Sequence, residues 1–494
     1  MKIRLSPALA TLLLLSCGTR IAHGQVQAPA LAGVGAPISP ADRIYCGDQS
    51  SNTVTVISPF DNTVLGTIAL GSSRLQDVIG PQYVRSTNSH GLGFSRDGKY
   101  IVSLSVTTNT VTVVRTIDNS IVSQIWTDRA PHEAFFAPDN RTIWVGTRGT
   151  NHVTVVDGLA GTILGTIHTA DGPSKVVFSP DGTTAYVNHI RDPILSIVDV
   201  ASRTTVQNIT GLADVFSSDM QISADGGTIW AMHKMAGTAT VIDLNARSVV
   251  TAVTIGAEVN HANFAVLNGT THVFTTVGAT NETKVFRQDS PSSAPVFVTS
   301  IRSSGIEPHG LWGSPDNKWM YTVNEHSDTV DVISLETMEI TNTLNVGQEG
   351  QALIYVANAV PEGDGTANLG RQGLSTTPAL NKIVDVTPKQ PDSQSPMMMM
   401  NMNNNNNTAP PTALVTIRSL GGLDMVQVIG RELKFNTSYT MSATCQQCNG
   451  GQVPLLSFNA SMKSPDGCGS APQVLSFFKW YGVWDLESIQ ISES

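Results

Sequence analysis

The chain has 494 residues, 40% of them hydrophobic with 42 glycines besides, so it has the material for a sizeable buried core. Charged residues make up only 14%, against ~25% in average usage, which excludes a coiled coil, a long-helix protein and a charged disordered chain. The net charge of −10 argues against a phosphate-binding surface and therefore against nucleic acid as partner.

The first 24 residues read as an export signal: Lys2 and Arg4, an apolar run from Ala8 to Leu15, and Ala22-His23-Gly24 as a small-residue cleavage site. The apolar run is too short to span a bilayer, and no other stretch approaches that length. The expectation is a secreted protein, with lipid anchoring at Cys17 (through Leu14-Leu15-Ser16-Cys17) as the alternative. Residues 25–42 then form an N-terminal extension.

From residue 43 to about 365 one phrase recurs: an apolar strand, a Pro-Asp-Gly-like turn, an aromatic-led strand, and an alternating Thr/Val strand. Its opening reads HGLGFSRDGKY at 90, HEAFFAPDNRT at 132, SKVVFSPDGTT at 174, SDMQISADGGT at 218, HANFAVLNGTT at 261 and HGLWGSPDNKW at 309. A shorter copy, QALIYVAN, begins at 351, so the spacing is 42 to 48 residues throughout. A period of ~40–45 residues holding four short strands is the signature of propeller blades. Residues 43–70 carry the outer part of a blade without its inner strand, and QALIYVAN is an inner strand without the rest. Joining them predicts an all-β, seven-bladed propeller over 43–365 in which one blade is built from both ends, leaving no open sheet edge.

Residues 366–411 break the pattern with PKQPDSQSP, MMMMNM, NNNNN and TAPP, and read as a low-complexity linker. Residues 412–494 alternate again and predict a small β-sandwich-like domain. Its Cys445, Cys448 and Cys468 are disulfide candidates in an exported protein, with Cys46 left as a buried thiol. Asn-x-Ser/Thr sequons at Asn140, Asn208, Asn268, Asn281, Asn406, Asn436 and Asn459 permit glycosylation without arguing for it.

The register gathers scattered histidines. The residue seven before the turn Asp or Asn is His90, His132, Ser174, Ser218, His261, His309 and Gln351, and opens the innermost strand at the channel mouth. A second tier, where the next strand ends, reads Asp48, Ser105, Thr147, His189, His233, Val277 and Asn324. Acidic neighbours include Glu133, Asp219, Glu258, Glu307 and Glu325. Converging imidazoles suit a transition metal (Cu, Zn, Fe or Mn), or acid–base chemistry without metal, or only hydrogen bonds between blades. The candidate metal set is therefore His90, His132, His261, His309, His189 and His233, with Glu133 or Glu307 as the catalytic proton carrier.

The Tyr-Val-Asn and Tyr-Thr-Val-Asn openings, the Asn-Thr-Val-Thr-Val strand and the Ser-Pro-Asp-Gly turn resemble the YVTN-type propellers, relatives of the seven-bladed lactonases and of the nitrous oxide reductase propeller. The resemblance implies the ring fold. It leaves function divided between an extracellular binding or recognition module and an enzyme that opens or eliminates at a lactone or ester. The partner expected is a small molecule, or an extracellular polymer or protein, met by a monomer. The copper activity of nitrous oxide reductase does not carry over, because the C-terminal part lacks the ligand pattern of an electron-transfer copper domain.

Overall fold

The computed structural model describes residues 35–71, 87–375, 379–388, 410–419, 423–447, 450–463 and 469–494. The export segment, most of the Met/Asn-rich stretch, Asn406, Cys448 and Cys468 lie outside them.

Seven four-stranded antiparallel sheets form the ring. Blade 1 runs Gly91–Phe94, Tyr100–Ser105, Thr110–Arg115 and Ser120–Trp126, and blades 2 to 6 repeat the order, opening on Pro131–Phe136, Pro173–Phe178, Asp219–Ile222, Val259–Leu267 and Pro308–Gly313. Blade 7 is the split one. Its inner strand Gly350–Val356 pairs with Arg43–Asp48, placing Tyr355 opposite Ile44 and Leu353 opposite Cys46, and Thr53–Ser58 and Thr63–Ala69 complete it. Tyr355 also donates its hydroxyl to Asp42 at 2.5 Å, so the two chain ends are stitched by side chains as well as by the ladder.

Local chemistry explains why each blade folds back where it does. In Ser95-x-Asp97, Ser179-x-Asp181, Ser223-x-Asp225 and Ser314-x-Asp316 the serine hydroxyl donates to the aspartate two residues on. The following Gly98, Gly182, Gly226 or Asn317 takes the positive φ that the turn requires. Alternating Val and Ile on the middle strands then fill the layers between blades, as in Val54, Val56, Val153, Val155, Val330 and Val332. In every blade a β-bulge interrupts the pairing of the two outermost strands, which twists the exposed edge and makes it a poor template for another chain.

The channel is a blind cup. Phe94, Phe135 and Trp312, from blades 1, 2 and 6, meet across its axis with ring centroids 5.6 to 6.2 Å apart. Blade 1 comes so close to blade 2 that a Cβ at Gly91 would lie 1.9 Å from the carbonyl oxygen of His132.

The stretch read as a linker is different in kind. Residues up to 375 strap blade 7 to blade 1: Gly370 exchanges backbone hydrogen bonds with Thr67, and Asn119 donates to the carbonyls of Gly365 and Ala367. Leu380–Thr387 is a strand that pairs with Thr412–Ser419, so the low-complexity segment interrupts the C-terminal sheet instead of joining two domains. Composition could not show this, because a short strand before a long polar excursion looks like part of the excursion. The C-terminal domain is one eight-stranded sheet that curls until Gln452–Asn459 comes back against Gly469–Phe478, a sandwich- or barrel-like wrap around Val415, Ile417, Val426, Val428 and Trp480. Cys46 is a buried free thiol in blade 7. Cys445 is buried in the C-terminal domain, and both of its candidate partners fall outside the described residues.

Candidate active site

Two backbone devices place the side chains at the mouth. The first is a bulge at the start of the inner strand in blades 2, 3, 5, 6 and 7: four residues from Pro131 to Ala134 face three from Thr147 to Val145, and likewise at Pro173–Val176, Val259–Ala262 and Pro308–Leu311, with three from Gly350 to Ala352 facing two in blade 7. The extra residue re-aims successive side chains. Two neighbouring positions therefore serve the cup, as with His132 and Glu133 or Ser174 and Lys175. The second device is a left-handed residue just before that strand: Ala130, Gly172, Glu258, Glu307 and Glu349 have φ between 55° and 72°. Glycine is the natural occupant, and a glutamate there costs ~1–2 kcal/mol. Three blades keep glutamate nevertheless.

The first-tier residues form the ring that their register predicts. His90 and His132 lie 4.8 Å apart between ring centroids, as do His261 and His309. Ser174 donates to the carbonyl of Ser218 at 2.9 Å and so receives the proton of His132 Nδ1 at 3.2 Å and of Arg148 Nε at 2.9 Å. His90 Nδ1 donates to Gln49 Oε1 at 2.7 Å, and His309 Nδ1 to the carbonyl of Gln351 at 3.0 Å. These acceptors fix the tautomer: His90, His132 and His309 carry the proton on Nδ1 and keep a lone pair on Nε2. Burial, reinforced by neighbouring cations, holds His90 down to about 3 and holds His132, His261 and His309 well below the usual imidazole range, so all four are neutral at pH 7.

Below the ring sits a buried ion cluster. Lys175 Nζ bridges Glu133 at 2.7 Å and Asp219 at 2.6 Å. His261 stands over the pair, with Nε2 at 3.8 Å from Glu133 and Nδ1 at 3.9 Å from Asp219. Burial pushes Glu133 up to about 7 despite Lys175, while Asp219 and Glu133 together outweigh burial and hold Lys175 above its ordinary value. Arg148 donates to Ser174 and to the carbonyl of Ser218 and, among the described residues, has no carboxylate within 4.0 Å. Its charge remains available to a guest.

Glu307 belongs to a second cluster, on blades 4 to 6. It meets His326 Nε2 at 3.2 Å, Lys234 at 3.3 Å and Arg431 of the C-terminal domain at 2.9 Å. Glu325 is pushed up to about 8 by burial and by Glu307, while the carboxyls of Glu325 and Glu307 outweigh the burial of His326 and hold its imidazole above its ordinary value.

The second tier stays out of the cup. His189 Nε2 bonds Ser196 at 3.0 Å and His233 Nε2 bonds Thr240 at 2.8 Å, each within its own blade. Asp48 with Thr53 and Thr55, Thr147 with the carbonyl of His152, and Asn324 with Thr329 do the same. These side chains end a strand that has no bulge, so nothing turns them toward the axis. Lys175 and Arg148 were missed in the sequence. Reading the register one residue beyond the first tier (Gly91, Glu133, Lys175, Asp219, Ala262, Gly310, Ala352) would have found Lys175, whereas nothing in the repeat marks Arg148.

A metal fits poorly. Glu133, Asp219 and His261 bring ligand atoms within 4.8 Å of one another, as do Glu307, Glu325 and His326. In the first trio the Lys175 ammonium already occupies the cation's position between the carboxylates. In the second, Glu307 is already matched by His326, Lys234 and Arg431.

The fold and this mouth define a seven-bladed propeller whose polar chemistry is gathered at one end of a closed channel. Residues 105–353, half the chain, match the family described as lactonase, 7-bladed beta-propeller, and the protein belongs to that family. No curated protein matches the chain. Among solved structures, it is similar to the periplasmic gluconolactonase PpgL of Pseudomonas aeruginosa, with 17% identity and a TM-score of 0.51 over 64% of this chain and 99% of that one. It is also similar to a functionally unknown protein from Desulfotomaculum acetoxidans, with 11% identity and a TM-score of 0.52 over 63% and 98% of the respective chains. At these identities the likeness is one of fold.

Proposed function

We propose that the protein is an exported enzyme that opens a lactone, or a comparable ester, in the cup at the propeller mouth. The observation that carries this reading is the setting of His261: a neutral, partly buried imidazole facing two carboxyls, of which Glu133 is poised near pH 7. A disc built only to display a surface has no use for such a cluster, because burying charges is costly even when they are paired. Family membership and the Lys2–Gly24 export pattern support the reading.

In this mechanism His261 takes a proton from water, and the resulting hydroxide adds to the ester carbonyl carbon. Asp219 stabilises the imidazolium as it forms, and Glu133 enters the cycle protonated. Arg148, with no carboxylate partner of its own, faces the developing oxyanion. When the acyl–oxygen bond breaks, the leaving alkoxide takes a proton from Glu133, which regains one from His261. Water is consumed and a hydroxy acid leaves, with no redox step.

The test is hydrolysis of five- and six-membered aldonolactones and of an aryl ester by the purified full chain, read by acid release. Glu133→Gln and His261→Ala should each lower kcat/KM by ~10²–10⁴, the range of one general acid–base group. If the protein hydrolyses none of them yet binds sugar acids equally well in both variants, the mouth is a recognition site.

A further inference from the structure

Both faces of two C-terminal strands are buried. On Thr412–Ser419 and Asp424–Leu433, Val415, Ile417, Val426 and Val428 enter the domain's own core. Arg418 and Gln427 point the opposite way, are just as buried, and bond to the propeller. Arg418 pairs with Asp328 at 2.8 Å and reaches the carbonyl of Glu325 at 3.4 Å. Gln427 donates to Glu349 at 2.9 Å, and Arg431 spans Glu258 at 2.8 Å and Glu307 at 2.9 Å.

Three of these acceptors, Glu258, Glu307 and Glu349, are the left-handed glutamates that precede the inner strands of blades 5, 6 and 7. At the same position blades 2 and 3 carry Ala130 and Gly172, which offer no acceptor side chain. The strained glutamates therefore coincide with the docking contacts. The hydrogen bonds to the rim are charged or amide ones, whose groups water solvates again on separation, and Leu414 and Met425 are buried on the same face beside them. With the domain in place, His132, His309, Glu133, Lys175 and Asp219 are buried while His90 and His261 keep partial exposure, and Phe94, Phe135 and Trp312 meet farther down the channel.

We propose that the C-terminal domain is a gate over the cup: docked on the acidic rim of blades 5 to 7 it narrows the mouth and covers His132 and His309, and it lifts from that rim to admit the ligand. The proposal rests on the cup being the reactive site, but access to the cup is measurable without any turnover.

The probe is diethyl pyrocarbonate, which acylates neutral imidazole, with the modified histidines read by peptide mass spectrometry of the full chain. Arg418→Glu/Arg431→Glu sets like charges against Asp328, Glu258 and Glu307. It should raise the acylation rates of His132 and His309 by ~10-fold or more while those of His189 and His233, bonded inside their blades, stay unchanged. Asp328→Asn/Glu349→Gln weakens the same contacts without reversing charge, and should give a smaller rise of the same pattern, which covers the case in which the first variant misfolds. The gate is overturned if His132 and His309 react at the wild-type rate in both variants, or if all histidines speed up together. Faster, selective acylation with no lactone hydrolysis in any form would leave the gate standing and remove only the catalytic reading.

Discussion

Replacing Lys175 by Met removes the one ammonium between two carboxylates that are each almost wholly buried. At ~2.7 Å and an effective dielectric of ~20, each contact carries about 6 kcal/mol of gross attraction. Much of that offsets the cost of desolvating three ions, so the net loss is nearer the ~3–5 kcal/mol typical of breaking a buried pair. Glu133, already raised to about 7, answers by staying protonated, which leaves Asp219 as the stranded charge. The assay is thermal unfolding at pH 7.5 followed by circular dichroism. A loss of this size corresponds to a fall in Tm of ~4–8 °C, taking ~1.5 °C per kcal/mol for a propeller of about 320 residues. Lys175→Met/Asp219→Asn should recover part of it, because the second change removes the stranded charge. A Tm within ~2 °C of wild type for Lys175→Met, or no recovery in the double variant, would refute the reasoning.

Stability should also depend on pH in a way set by the mouth. The unfolded histidines bind protons below ~6.5 while folded His90, His132, His261 and His309 resist. Each therefore removes about 1.4 kcal/mol per pH unit as pH falls from ~6.5 toward 3. Glu133 and Glu325 act oppositely: the fold keeps their protons to about 7 and about 8. Unfolded glutamate releases its proton near ~4.3, so these two weaken the fold as pH rises through that window. Tm should peak between about pH 6 and 7, and a flat profile from pH 4 to 7 would count against the buried neutral imidazoles. Ring closure predicts that deleting residues 350–360 abolishes cooperative melting of the propeller, since Arg43–Asp48 then lacks its partner strand; a deletion variant that melts as wild type would refute the split blade.

The blade repeat, the split seventh blade and the position of the first-tier ring were legible in the sequence because each depends on local rules. Period-2 alternation fixes which face of a strand is buried, Ser-x-Asp-Gly fixes the turn, and a constant repeat carries one register position to the same place in every blade. His90, His132, His261 and His309 could thus be placed from spacing alone. Rotation of a side chain about that position was not legible. His189 and His233 share the mouth end of their strands with the ring, yet bond Ser196 and Thr240 inside their own blades, whereas the bulge at Pro131–Ala134 turns His132 and Glu133 together into the cup.

Only the tertiary structure decided the partners of the charged residues. Lys175 and Asp219 are 44 residues apart, Glu307 and Arg431 are 124 apart, and Gln427 and Glu349 are 78 apart. Lys175 and Asp219 hold the same register position one repeat apart, whereas no periodicity links the other two pairs. Packing of blade 3 against blade 4 brings the first together, and docking of the C-terminal domain brings the others. The sequence by itself determined the ring because hydrophobic burial is repeated in every blade and can be read from any of them. The chemistry at the mouth was decided in three dimensions because each ion pair occurs once, and burial, which sets its protonation, depends on every element packed around it.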